Sequence, residues 1–141
     1  MTVRTARTIL SVLWLAFAAP LLLILIVRQL NGFYDSPGSD IRELWNWVGQ
    51  FVLPGITLIA GAWTVSTSPS DGKPVDNFMV FWAAIGMSVF YFVVLYLVIA
   101  SQASTTQNWP ESLKESALYL GLFQGAIIAV IGKFFIESAR Q

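Results

Sequence analysis

Four long apolar stretches, almost free of charged residues, constrain this chain more than any other feature of its sequence. A helix needs about 20 residues to cross a hydrocarbon core of about 30 Å. Because backbone polar groups cannot stay unpaired in lipid, each stretch is predicted to be a helix. The sequence therefore predicts an all-α membrane protein, a single domain covering residues 1–141, with four transmembrane helices in an antiparallel bundle. The predicted spans are about 8–28, 45–65, 78–100 and 117–136.

The composition excludes several classes of protein. Of the 141 residues, 56% are hydrophobic and 11% are charged, against about 45–50% and about 25% in soluble domains. Eight Lys and Arg balance eight Asp and Glu, which leaves no basic surface for nucleic acid. The chain has no Cys and no His, so it lacks thiolates and the commonest general base and metal ligand. We expect no catalysis, no cofactor and no metal.

The distribution of cationic residues predicts the orientation in the membrane. An even number of spans places both termini on one side, and loop Lys and Arg are in excess on the cytoplasmic side. The sequence therefore predicts a plasma-membrane protein, most simply of a bacterial inner membrane, with both termini cytoplasmic (N-in, C-in). The terminal side would carry Arg4, Arg7, Lys73, Lys133 and Arg140, and the opposite side Arg28, Arg42 and Lys114.

Aromatic residues near the ends of the spans predict two belts at the membrane surfaces. Their rings have an apolar body and a polar tip, which suits the headgroup level. The outer belt would comprise Tyr34, Trp45, Trp47, Trp109 and Tyr119, and the inner belt Trp63 and Trp82.

The fourth span carries a ladder of small residues. Ala117, Gly121, Gly125 and Ala129 are spaced by four, so they share one face of a helix, with Gln124 beside them. Small side chains let a second helix approach closely, which drives association in lipid. The ladder is consistent with packing inside one chain, with an interface between subunits, or with the lining of a pathway.

Two glutamines lie inside the predicted spans. Gln50 of the second span and Gln124 of the fourth lie at comparable depth in helices that run in opposite directions. An amide in hydrocarbon needs a hydrogen-bond partner. We expect Gln50 and Gln124 either to bond to each other as structural contacts, which we favour, or to line a polar pore.

Prolines interrupt two spans. Pro20 lies in the first span, and Pro54 followed by Gly55 lies in the second. Proline removes a backbone hydrogen bond and kinks a helix. Such breaks form ion sites in some transporters, but proline is also common in ordinary membrane helices. We interpret these positions as helix kinks.

Two function classes are compatible with this sequence. The first is a non-catalytic membrane subunit that forms a homo-oligomer in the bilayer and anchors or senses for a cytosolic or membrane partner, for example in a stress- or phage-response complex. The second is a small channel built from several copies. Proton-coupled exchange is disfavoured because no predicted span contains Asp, Glu or His.

The orientation can be tested with single cysteines, since the chain has none of its own. In intact cells, a cysteine at Ser104 should react with a membrane-impermeant thiol reagent, and a cysteine at Ser70 should react only after the membrane is opened. The reverse pattern would place both termini outside the cytoplasm.

Overall fold

In a computed structural model of the chain, the described residues form five α-helices. The structure describes residues 1–35, 41–64, 78–102 and 109–140, without the side chains of residues 62–64 and 136–140. Every regular element in these ranges is helical, which confirms the all-α prediction for that part of the chain. The helices are α1 (Val3–Leu30), α2 (Ile41–Phe51), α3 (Leu53–Thr64), α4 (Phe78–Gln102) and α5 (Trp109–Arg140).

Three of the helices have the length and composition of membrane spans. These are α1, α4 and the Trp109–Phe135 part of α5, and they indicate a membrane protein. The predicted second span is divided between α2, of 11 residues, and α3, of 12 residues. At 1.5 Å per residue each is about 17 Å long, too short to cross the hydrocarbon core alone.

The long helices extend beyond the predicted spans. Helix α1 begins at Val3, where the Thr2 hydroxyl accepts a hydrogen bond from the Thr5 amide at 3.3 Å. Helix α5 begins at Trp109 rather than near 117, and Pro110 occupies its first turn, where a missing N–H costs nothing. Polar first turns explain the difference, because hydropathy marks the apolar part of a helix and not its ends.

Helix α4 packs most extensively against α5. It contacts α1 on one side and α5 on the other, while α2 contacts α5 and α3 contacts both α1 and α5. Its buried face carries aromatic and aliphatic side chains that meet Trp14 of α1 and Phe134 of α5. At one end, Arg28 Nη1 donates to the Ile99 carbonyl at 2.7 Å and so joins α1 to α4.

Three rings of the predicted outer belt lie inside the protein rather than on its surface. Trp47, Trp109 and Tyr34 are buried in the core, with 4%, 2% and 2% of their surface exposed. Trp47 Nε1 donates to Ser116 Oγ at 3.1 Å, so the indole finds its partner inside the protein. Tyr34 packs edge-on against Trp109, and burial raises the pKa of its phenol despite the opposing effect of Arg28.

The remaining belt residues are more accessible. Trp45, Tyr119 and Trp82 are exposed, as residues in contact with a membrane surface would be. The side chain of Trp63 lies outside the described residues. A sequence position near the end of a span therefore does not distinguish a ring on the surface from one that packs against a neighbouring helix.

Candidate functional site

The break between α2 and α3 is where the chain departs most from a regular helix. Pro54 has no N–H, so the Gln50 carbonyl four residues earlier loses its usual helical donor. Around the break, the Val52 N–H donates to the Val48 carbonyl at 2.9 Å, and the Val52 carbonyl accepts a long bond of 3.4 Å from Ile56. The helix is thus interrupted within one turn, at the position predicted for a kink.

A side chain from α5 replaces the donor that Pro54 lacks. Gln124 Nε2 donates to the Gln50 backbone carbonyl at 2.8 Å. The structure therefore brings the two glutamines together, but the acceptor is the main chain of Gln50 and not its amide side chain. Sequence reasoning paired the two glutamines but considered the prolines apart from them, and it missed that Pro54 creates the acceptor that Gln124 uses.

Tyrosines of α4 donate hydrogen bonds near both prolines, although α1 continues through Pro20 as one helix. Tyr91 Oη donates to the Phe51 carbonyl at 2.8 Å, and Tyr96 Oη donates to the Phe17 carbonyl at 2.9 Å. Each of these carbonyls lies three residues before a proline, where the helical ladder is disturbed. A neighbouring helix thus supplies hydrogen bonds near both prolines, which is how membrane helices tolerate proline.

Gly55 allows α1 to approach the break closely. A Cβ atom at position 55 would overlap the ring of Trp14, so only glycine fits against this indole. Trp14 Nε1 donates to Ser88 Oγ at 2.9 Å, and Ser88 Oγ donates in turn to the Ala84 carbonyl at 2.7 Å. The break therefore holds side chains from α1, α4 and α5 against the α2–α3 backbone.

The hydrogen bonds at the break determine what chemistry it offers. An ion site at a broken helix needs carbonyl oxygens that face an open path. Here the Gln50 carbonyl already accepts from an amide, and the Phe51 carbonyl accepts from a hydroxyl. These donors point their hydrogens at the same oxygens that a cation would use, so the geometry favours a contact that joins helices.

The small-residue ladder of α5 lies mostly on the outside of the chain. Gly121, Gly125 and Ala129 are exposed and Ala117 is half-buried. A methyl group added at Gly121 or Gly125 would meet no other atom within 4 Å among the described residues. Helix α5 instead packs on α4 and α2 through another face, which includes Leu113, Leu120, Ile127, Ile131 and Phe134.

Packing inside one chain therefore does not account for the two glycines in the described structure. Their face continues into Leu118 and Leu122, which are 80% and 76% exposed. The small residues leave this apolar surface flat and open to lipid or to another helix.

Comparison of the chain with protein-family models, with curated proteins and with solved structures finds no match. The functional argument therefore depends on the geometry of the α2–α3 break and of the α5 surface.

A double-mutant cycle tests whether Gln124 compensates for Pro54. Gln124→Leu should lower the free energy of unfolding by about 1 kcal/mol, the usual worth of one hydrogen bond between membrane helices. In a Pro54→Ala background the Ala N–H can bond to the Gln50 carbonyl, so the same change should cost much less. Reversible unfolding in detergent micelles measures both costs.

Tyr96→Phe is the control for this cycle, because it removes the distant hydrogen bond to Phe17. Its cost should be the same with Pro54 and with Ala at position 54. Equal costs of Gln124→Leu in the two backgrounds would show that the amide does not substitute for the lost backbone donor.

Proposed function

We propose that this chain is a non-catalytic integral membrane subunit that forms a homo-oligomer through α5. In this role it anchors or senses for a partner protein in the cytosol or in the membrane. The observation that supports the proposal is the exposed small-residue face of α5, which no described helix of the same chain covers.

The proposal includes four membrane crossings, of which α2 and α3 together form the second. The 24 residues of Ile41–Thr64 measure about 36 Å at 1.5 Å per residue, enough to cross a core of about 30 Å. The hydrogen bonds to the Gln50 and Phe51 carbonyls support this assignment, because they pair the main-chain groups that the break would otherwise expose to lipid. Both termini then lie on one side, and the cationic bias favours the cytoplasm.

The oligomer would form along Ala117, Gly121, Gly125 and Ala129. No charged residue occurs between Ser116 and Gly132, so this face can lie in lipid along its length. Two such faces could approach until their backbones are in van der Waals contact, which larger side chains would prevent. The half-buried Gln124 lies next to this face and links it to the α2–α3 break.

The proposed partner protein would supply the folded domain that the short segments of this chain cannot form. The segments between the predicted spans are short, and a segment of that size buries too little apolar surface to fold as a separate domain. The residues between spans are therefore best suited to contact a partner. Genes encoded next to this one are the first candidates for that partner.

The oligomer is tested by the molar mass of the purified chain in detergent. Light scattering that corrects for bound detergent should give a multiple of the 15.6 kDa chain mass for the wild type. Gly121→Leu combined with Gly125→Leu should reduce the mass to one chain, because the leucines separate the two backbones. Each contact contributes only about 1 kcal/mol, so the double change is needed.

Gly61→Leu combined with Gly86→Leu is the matched control. A methyl group at either position also meets open space, but neither residue is on α5. This variant should keep the mass of the wild type. A monomeric wild type would refute the oligomer, and an oligomer that survives the α5 leucines would place the interface on another helix. Ion flux through liposomes that contain only this chain would favour the channel instead.

A further inference from the structure

A small groove with a mainly apolar wall opens between α2 and α5, at the end where α5 begins. Its volume is about 190 Å³, several times the roughly 30 Å³ that one water molecule occupies in the liquid. Polar residues Glu43, Asn46, Gln50 and Lys114 line it together with Trp47 and Leu113.

An ion pair with unused bonding capacity lies in this groove. Lys114 Nζ is 3.1 Å from Glu43 Oε1, and 68% of the Lys114 side chain is exposed. Glu43 Oε2 is buried and receives no hydrogen bond from the described residues. A carboxylate accepts up to about four hydrogen bonds and an ammonium donates three. Because Oε2 is buried, an added donor reaches Oε1, which can accept a second hydrogen bond beside the one from Lys114.

The groove lies at the level of lipid headgroups if α5 crosses the membrane. The apolar part of α5, Trp109–Phe135, has 27 residues and is about 40 Å long, roughly 10 Å more than the hydrocarbon core. Its first turns contain Glu111, Lys114 and Glu115. These charged residues lie outside the hydrocarbon, while Ala117 at the lower edge of the groove lies near its border.

We propose that this groove binds a phosphoethanolamine group, supplied by the headgroup of a membrane phospholipid. The ammonium of the ligand donates to the Glu43 carboxylate, and its phosphate accepts from Lys114. A lone anion would meet the charge of Glu43 and a lone cation that of Lys114, whereas a zwitterion satisfies both. The proposal is independent of the oligomer proposed above, since all the residues that it uses belong to one chain.

The chemistry predicts a preference between two common headgroups. Ethanolamine carries a primary ammonium with three N–H donors, whereas the quaternary ammonium of choline has none. Both lipids have the same phosphate, so their difference reports only on the contact with Glu43. A hydrogen bond between charged groups corresponds to a preference of about tenfold.

Native mass spectrometry can measure this preference. The full chain is released from nanodiscs that contain equal amounts of phosphatidylethanolamine and phosphatidylcholine with identical acyl chains. The wild type should carry about tenfold more of the ethanolamine lipid. Glu43→Gln should reduce the ratio to about one, and Lys114→Gln should weaken the binding of both lipids. The control Glu111→Gln changes a neighbouring exposed carboxylate outside the groove and should behave like the wild type.

Soluble O-phosphoethanolamine distinguishes the two sources of the ligand. If it does not displace the bound lipid, the lipid itself is the ligand; displacement shows that the headgroup chemistry suffices and that a free solute is also accepted. Circular dichroism of each variant checks that the helices are retained. Equal binding of the two lipids by the wild type would overturn the proposal, as would an unchanged ratio in Glu43→Gln.

Discussion

The hydrogen bond that Pro54 removes from the Gln50 carbonyl is the constraint on which the arrangement of the helices depends. A peptide carbonyl left unpaired in lipid costs several kcal/mol, so a break inside a membrane helix requires a donor from elsewhere. Gln124 of α5 provides that donor, and Tyr91 of α4 does the same for the next carbonyl. Because Gly55 lacks a side chain, Trp14 of α1 also packs at the break. One interruption in the chain thus positions three other helices.

The same contact is consistent with the surface of α5 that remains free. Residues three or four apart are neighbours on a helix, so Gln124 and Gly121 lie side by side. With the Gln124 amide directed at α2, the rotation of α5 about its axis leaves Gly121 and Gly125 uncovered. The buried apolar face of α5, which includes Leu120, Ile127 and Ile131, holds the helix in the same rotation.

Much of the fold could be predicted because membrane spans are long, apolar and nearly free of charge. The helical class, the α4 bounds and the kink at Pro54 follow from such local patterns. The functions of Tyr91 and Tyr96 could not, because their partners lie on other helices and are distant in sequence. A tyrosine within an apolar span does indicate a hydrogen bond to another group, since a buried hydroxyl requires an acceptor. It does not indicate which residue provides that acceptor. The burial of Trp47 and Trp109 could not be predicted for a related reason: the sequence near a span end does not show whether a neighbouring helix covers the ring.

The most direct measurement of the central claim is the infrared frequency of the Gln50 carbonyl itself. An isotope-edited ¹³C=¹⁸O label at Gln50 separates this one amide band from the rest of the protein in lipid bilayers. A hydrogen bond from Gln124 lowers the frequency of the carbonyl stretch. The structure predicts that the labelled band of the wild type lies at the frequency of a hydrogen-bonded helical carbonyl and shifts upward in Gln124→Leu. A band that is the same in both proteins would contradict the claim that Gln124 bonds to this carbonyl.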